Sequence, residues 1–304
     1  MGDRMKNVRV VYMGTPEFSL KPLKVLIDKM NVVGVVTKPD AYVGRKKVLT
    51  KSPVRVLAEE HNIPVLTPQS IKTDYQSIID LEPDMIVTCA YGKIIPKALI
   101  DYPKFGCINI HASLLPKYRG AAPIQWALIN GEEETGITLM YMDEFMDTGD
   151  IIDSIGYKIK EEDDIETLHK ELSSLGAIIL DNNLENLISG NVKRIKQNDE
   201  EATIAKMIDR EMEELNFCDE GKHIINKIRA FSPYPLTKTT LFNEEVKIVK
   251  AHFVKCGSEV NKVYQDKDSL GIGVVDGIIY IDIIKPIGKN IMPIKNYLNG
   301  KRVN

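Results

Sequence analysis

Cysteine is scarce in this chain: four residues in 304, at positions 89, 107, 218 and 256, with no C-x-x-C pair among them. Two of the four fall in apolar, strand-like runs, so they read as reduced, buried thiols of the kind a cytoplasmic protein carries. H-E-x-x-H and clustered Cys/His sets are missing, which removes the usual zinc arrangements, and no metal is expected. No apolar run approaches the roughly 20 residues that cross a bilayer. The opening MGDRMKNVRVVYM has no signal-peptide core and enters a strand-like run almost at once. A cytoplasmic chain with no membrane partner is therefore expected. The dinucleotide fingerprint G-x-G-x-x-G is also absent. After the first strand-like run stands Gly14-Thr15-Pro16-Glu17-Phe18-Ser19, where the second and third glycines are missing and Glu17 would repel a pyrophosphate. With no Walker-A sequence either, a nicotinamide dehydrogenase and a nucleotide hydrolase are both set aside.

What is present points to two domains, the prior for a chain of 304 residues. The formal net charge of −3 hides an asymmetry. From residue 222 onward there are 14 Lys and Arg against 7 Asp and Glu; residues 1–221 hold 26 against 36. A basic tail on an acidic body fits a polyanionic partner, although the same charge could simply be a solvated surface. Along the first half, apolar strand-like runs (8–13, 31–37, 64–66, 85–89, 107–110) alternate with helical patterns (20–30, 52–60, 75–81, 96–101). That alternation predicts a doubly wound, mostly parallel sheet. A long amphipathic helix is expected over 165–188, with Leu168, Leu172, Leu175 and Ile179 at helical spacing. A polar loop is expected over 38–51. After a linker and a helix over 218–230 come several short strands, with turns near Asn243 and at Asp276-Gly277, the pattern of a small barrel.

The most informative stretch is 107–126, CINIHASLLPKYRGAAPIQW. Asn109 and His111 sit two apart in an apolar strand, so their side chains project from one face. They stand where the strand opens into a loop, the edge at which open α/β sheets place chemistry. A lone histidine at a strand end is more often structural. Here an amide donor stands beside the imidazole, and a second loop, YMDEFMDTGDI, supplies Asp147. An imidazole in catalysis needs an acid to fix its tautomer and stabilise its charged form. Asp-Thr-Gly-Asp is equally ordinary turn chemistry, so spacing alone leaves both readings of Asp147 open.

These segments resemble the folate-dependent formyltransferases, whose hallmark is Asn-x-His on a strand, then Ser-Leu-Leu-Pro, then an Asp in a glycine-containing loop. All are present: Asn109, His111, Ser113-Leu114-Leu115-Pro116 and Asp147. The likeness continues at YMGTPEFS (12–19), SPVRVLAEE (52–60), AYGKIIPKALI (90–100), RGAAPIQWAL (119–128) and DIIKPIGKNIMPIKNYLNG (282–300), nearly the whole chain. Within the family it is most similar to the members that formylate methionyl initiator tRNA. The resemblance implies a Rossmann-like catalytic domain over 1–190, a linker over 191–208, and an OB-like β-barrel that binds tRNA over 209–304. It implies 10-formyl-tetrahydrofolate as formyl-donor co-substrate and methionyl initiator tRNA as acceptor, with no DNA partner, in a monomer. The amine would attack directly, through a tetrahedral intermediate.

Carried over residue by residue, the resemblance makes Asn109, His111 and Asp147 catalytic and Ser113, Leu114, Leu115 and Pro116 the folate-contacting loop. Arg119-Gly120 would bind the folate tail or cap the next helix. Lys38, Arg45, Lys46 and Lys47, in the polar loop KPDAYVGRKKVLTK, would neutralise tRNA phosphates. The chain departs from the family pattern at Ala41, where a basic residue is common, and at Lys46 and Phe145, where glycine is usual. Two other readings remain: formyl transfer to an amino sugar nucleotide or glycinamide ribonucleotide, and a non-catalytic RNA-binding module.

Overall fold

The computed structural model describes residues 5–44, 46–299 and 301. They form two compact units. One comprises the described residues up to Ala121 with Thr135–Tyr157 and His169–Ala205; the other comprises Ala122–Glu134, Lys158–Leu168 and the described residues from Lys206 on.

The first strand, β1 (Arg9–Gly14, RVVYMG), is buried at all but its first position. Such continuous apolar runs form strands covered on both faces. Helix α1 (Leu20–Lys29) buries Leu23 and Leu26 and is followed by β2 (Asn31–Val36). The expected polar loop instead folds into a hairpin, β3 (Ala41–Val43) against β4 (Val48–Thr50), with Tyr42 opposite Leu49. Two short β-favouring triplets flank a turn at Gly44, which takes the positive φ of +73° that glycine tolerates. Helix α2 (Pro53–Glu60) begins as expected, with the Ser52 hydroxyl accepting from Arg55 N at 3.1 Å and Pro53 in the first turn.

The sheet continues through β5 (Val65–Leu66), α3 (Gln76–Ile79), β6 (Met85–Cys89), α4 (Lys97–Ile100) and β7 (Cys107–His111). After β8 (Arg119–Gly120) and α5 (Pro123–Ile129) come β9 (Glu134–Tyr141), β10 (Ile151–Lys158), the long α6 (Ile165–Ser189) and β11 (Ile204–Ala205). The seven-stranded sheet runs β10-β9-β7-β6-β1-β2-β5. Its five strands from β7 to β5 are parallel, and β9 runs antiparallel to β7. Within the parallel set the chain order reads 3-2-1-4-5, the doubly wound arrangement. The carboxyl ends of β1, β6 and β7 therefore leave the sheet along one edge.

In the second unit, α7 (Gly221–Phe231) precedes an antiparallel sheet. Its strands are β12 (Thr237–Leu241), β13 (Glu244–Lys255), β14 (Val263–Gln265), β15 (Leu270–Val274) and β16 (Gly277–Pro286), ordered β12-β13-β16-β15-β14, with β17 (Met292–Pro293) on β16. Register shifts on either side of Lys250 break the ladder of the long β13; such bulges bend and twist a strand, the device by which small β domains curl. The core joins Ile224 and Ile228 of α7 to Val246, Ile248, Ile279 and Ile281 of the sheet, and α8 (Ile294–Leu298) closes the sequence of elements. The residues read as a linker are built into the first unit as far as Ala205, because β11 pairs in parallel with β8. Helix α5 clusters with the second unit, where the Trp126 indole donates to Lys206 O at 2.8 Å.

Candidate active site

Asn109 and His111 occupy one face of β7, and Asp147 enters from the loop between β9 and β10. Asn109 Nδ2 lies 3.4 Å from Asp147 Oδ1, and His111 Nδ1 lies 3.7 Å from Asp147 Oδ2. The structure thus brings together the three residues that the sequence nominated. A carboxylate only accepts, so the amide nitrogen of Asn109 must be the atom that faces it. The amide's other end is held from below. Thr88, the register partner of Asn109 on β6, donates its hydroxyl to Asn109 Oδ1 at 2.8 Å. The Tyr118 carbonyl, 2.9 Å from His111 Nε2, also only accepts, which places a proton on Nε2 and turns Nδ1 toward the carboxylate.

Asp147 is held as firmly as the other two. Its Oδ2 accepts the Gly120 N–H at 2.9 Å. Its backbone sits in the left-handed region, at φ +56°, which costs a non-glycine residue roughly 1–2 kcal/mol. The surrounding loop meets that cost. Asp143 accepts the Thr148 hydroxyl at 2.7 Å and the Phe145 N–H at 3.0 Å. A β-carbon at Gly149 would stand 1.9 Å from Tyr141 O, so only glycine fits beneath the turn. Gln197 donates to the carbonyls of Asp147 and Gly149.

The Ser113–Pro116 residues divide in two. Ser113 is buried and donates to Lys117 O at 2.6 Å. Thr138 donates its hydroxyl to Ser113 O at 2.7 Å and accepts the Leu115 N–H at 3.0 Å. Ser113 and the buried Leu115 therefore brace the loop against β9, while Leu114 and Pro116 keep part of their surface open. Arg119 is buried and spends its guanidinium on Gln197 and Asp199. Past the ends of β1 and β6, the buried Thr15 and Tyr91 hydroxyls have no hydrogen-bond partner among the described residues; burial pushes the Tyr91 phenol up to about 12. Such orphaned groups are costly.

In the hairpin, Lys46 and Lys47 are exposed at the turn, and Lys38 is exposed just beyond β2. None of the three forms an ion pair among the described residues, whereas Lys51 pairs with Glu59 at 2.7 Å and Arg55 with Asp40 at 3.0 Å. Arg45 lies outside the described residues. The hairpin also exposes Tyr42 (72%) and Leu49 (57%), so its apolar side chains cover no core. Among the described residues no group of three or more His, Cys, Asp and Glu could hold a metal ion, and no helix is long and apolar enough to cross a membrane.

Residues 7–184 match the family model described as Formyl transferase, and residues 207–302 match Formyl transferase, C-terminal domain. The chain belongs to the formyl transferase family. It is 43% identical over 303 residues to the methionyl-tRNA formyltransferase of Bacillus velezensis, covering 97% of this chain and 95% of that protein. Its identity to the methionyl-tRNA formyltransferase of Bacillus cytotoxicus is 42%, over 97% and 96%. The fold is also that of the N-formyltransferase of Helicobacter canadensis, solved with folinic acid and dTDP-3-aminofucose. That match has a TM-score of 0.68 at 22% identity and covers 92% of this chain and 99% of that one.

Proposed function

We propose that the chain transfers the formyl group of 10-formyl-tetrahydrofolate to the α-amino group of methionyl initiator tRNA, giving N-formylmethionyl-tRNA for translation initiation. The observation that carries this reading is the convergence of the Asn109 amide and the His111 imidazole on the Asp147 carboxylate, at the sheet edge where β7 ends. The match of residues 7–184 and 207–302 to the formyl transferase models and the near full-length similarity to methionyl-tRNA formyltransferases support the tRNA acceptor, and the neighbour solved with folinic acid supports a folate donor.

The chemistry asks little of a base. An α-amine has an unperturbed pKa of about 8, lower when the carboxyl is esterified, so part of it is neutral and nucleophilic near pH 7. The protein must orient the reactants, stabilise the developing oxyanion and provide a proton path. Asn109 carries two N–H protons on Nδ2. One faces Asp147 across a long 3.4 Å contact, which leaves donor capacity for the oxyanion. His111 and Asp147 take up the proton that the amine loses, shared between Nδ1 and Oδ2, and return it toward the departing nitrogen. Leu114 and Pro116 offer apolar surface to the folate rings, and the orphaned Thr15 and Tyr91 hydroxyls are polar groups that a bound substrate would satisfy. Lys38, Arg45, Lys46 and Lys47 meet phosphates, and the apolar hairpin stem meets the acceptor end.

The test is transfer of label from formyl-folate to methionyl initiator tRNA, to charged elongator tRNA and to a dTDP-amino sugar. Labelling of the initiator alone is expected. Labelling of the sugar in place of tRNA would assign the enzyme to the other branch, and labelling of none would leave a binding module.

A further inference from the structure

Gln197 lies in the stretch 191–208, which the resemblance makes a linker, yet its amide is fully engaged. Nε2 donates to Asp147 O at 2.9 Å and to Gly149 O at 2.8 Å. Oε1 accepts from Arg119 Nε at 3.0 Å and Nη2 at 2.9 Å. The amide can sit only one way, because two carbonyls accept on one side and a guanidinium donates on the other. The two carbonyls belong to the turn that holds Asp147 at its positive φ. The arginine adjoins Gly120, whose N–H donates to the Asp147 carboxylate. A closed circuit results: Gly120 N–H to the Asp147 carboxylate, Asp147 O to Gln197, Gln197 to Arg119, and Arg119 back to Gly120 through the chain.

We propose that Gln197 is a positioning residue for Asp147, fixing the turn so that the carboxylate reaches His111 and Asn109 together. The inference rests on the reading of Asp147 as part of the catalytic group. Arg119 serves the same circuit by fixing which way the Gln197 amide faces. Its guanidinium is therefore committed to the loop, with the Asp199 carboxylate as a further partner at 2.7 Å. Gln197 forms no hydrogen bond with Asn109, His111 or the Asp147 side chain among the described residues, so its effect on turnover passes through the turn at Asp147 and through the Arg119-Gly120 segment.

Two variants test the role. Gln197→Glu keeps the length and the oxygen facing Arg119 but sets a second oxygen against two carbonyls; Gln197→Met removes both sets of bonds. In single-turnover formylation of methionyl initiator tRNA each is expected to slow transfer about tenfold to a hundredfold, the effect of misplacing a catalytic group by about 1 Å. KM for formyl-folate and for tRNA should stay within about twofold and Tm within a few degrees. In an Asp147→Asn background Gln197→Glu should add less than about twofold, since the group it positions is already gone. Transfer within twofold of the parent in both variants would overturn the role. So would losses that multiply undiminished with Asp147→Asn, or failure of both variants to fold, which would make Gln197 a structural tie. Asn109→Ala, run alongside, keeps the two claims apart. If it is slow while the Gln197 variants are fast, only the positioning role falls. If it too is fast, the site reading falls and takes this one with it.

Discussion

Replacing Asp147 with Asn probes the site with the least change in shape. The carboxylate has two tasks: Oδ2 accepts the Gly120 N–H and faces His111 Nδ1, and Oδ1 faces the Asn109 amide. An asparagine oxygen can serve only one side. Turned to Gly120, it sets its own NH2 against the Asn109 NH2; turned to Asn109, it sets that NH2 against the Gly120 N–H. Either way the charge facing His111 is lost. At 3.7 Å the carboxylate is the opposite charge facing the imidazole whenever His111 carries the proton, and a positioned acid–base group contributes about 100- to 10,000-fold to a proton-transfer step. Both side chains are largely buried, at 7% and 15% exposure, so solvent screens the pair only modestly. The expected loss in kcat is about 100- to 1000-fold, with KM little changed and Tm within a few degrees. Single-turnover formylation with enzyme in excess reads it. A kcat within about fivefold of the parent would refute the idea that this carboxylate stabilises the proton on His111.

Thr88→Val removes the hydroxyl that orients the Asn109 amide while preserving shape on β6. One neutral hydrogen bond is worth about 1 kcal/mol, so kcat should fall about fivefold with folding intact, as kinetics and thermal melts would show. Reversing Lys46 and Lys47 to Glu should raise KM for tRNA and flatten its salt dependence by roughly one unit of slope for each phosphate no longer neutralised, leaving KM for formyl-folate unchanged; equal slopes would remove the hairpin from the interface. Burial pushes the Cys89 and Cys107 thiols up to about 12 from 9.0. A thiol reagent near pH 8 should therefore titrate two sites in the native protein, Cys218 and Cys256, and four after denaturation. The same raised values mean that stability is intact below pH 9 and falls as pH rises from about 9 toward 12, by up to about 1.4 kcal/mol per unit per thiol; denaturant midpoints across that range check the sign.

Much of the molecule was legible in the chain because its signals are local. Strands buried on both faces leave unbroken apolar runs, as in VVYM and MIVTC, and the cap at Ser52-Pro53 announces its helix. Asn109 and His111 stood out because a polar pair at period two interrupts such a run. Features that depend on distant partners were less visible. The hairpin at 41–50 hid among lysines, since its apolar residues cover no core that would enforce a clear pattern. Thr88 reads as one more β-branched residue in a strand; its role follows only from the register that sets it beside Asn109. Gln197 carries no local signal at all, because its partners lie some 50 and 80 residues away. The loop at 113–116 was half legible: Ser113 and Leu115 turn inward to brace β9, and sequence cannot distinguish them from the more open Leu114 and Pro116.

The most direct test of the site is the single-turnover rate of formyl transfer to methionyl initiator tRNA by the parent chain and by Asn109→Ala, at saturating formyl-folate. With Asn109, the proposed oxyanion donor, truncated, transfer should be about 100- to 1000-fold slower, while tRNA and folate binding and the thermal midpoint stay near those of the parent. A variant that formylates the tRNA within a few-fold of the parent would contradict the claim that the amide at the end of β7 stabilises the reacting carbonyl.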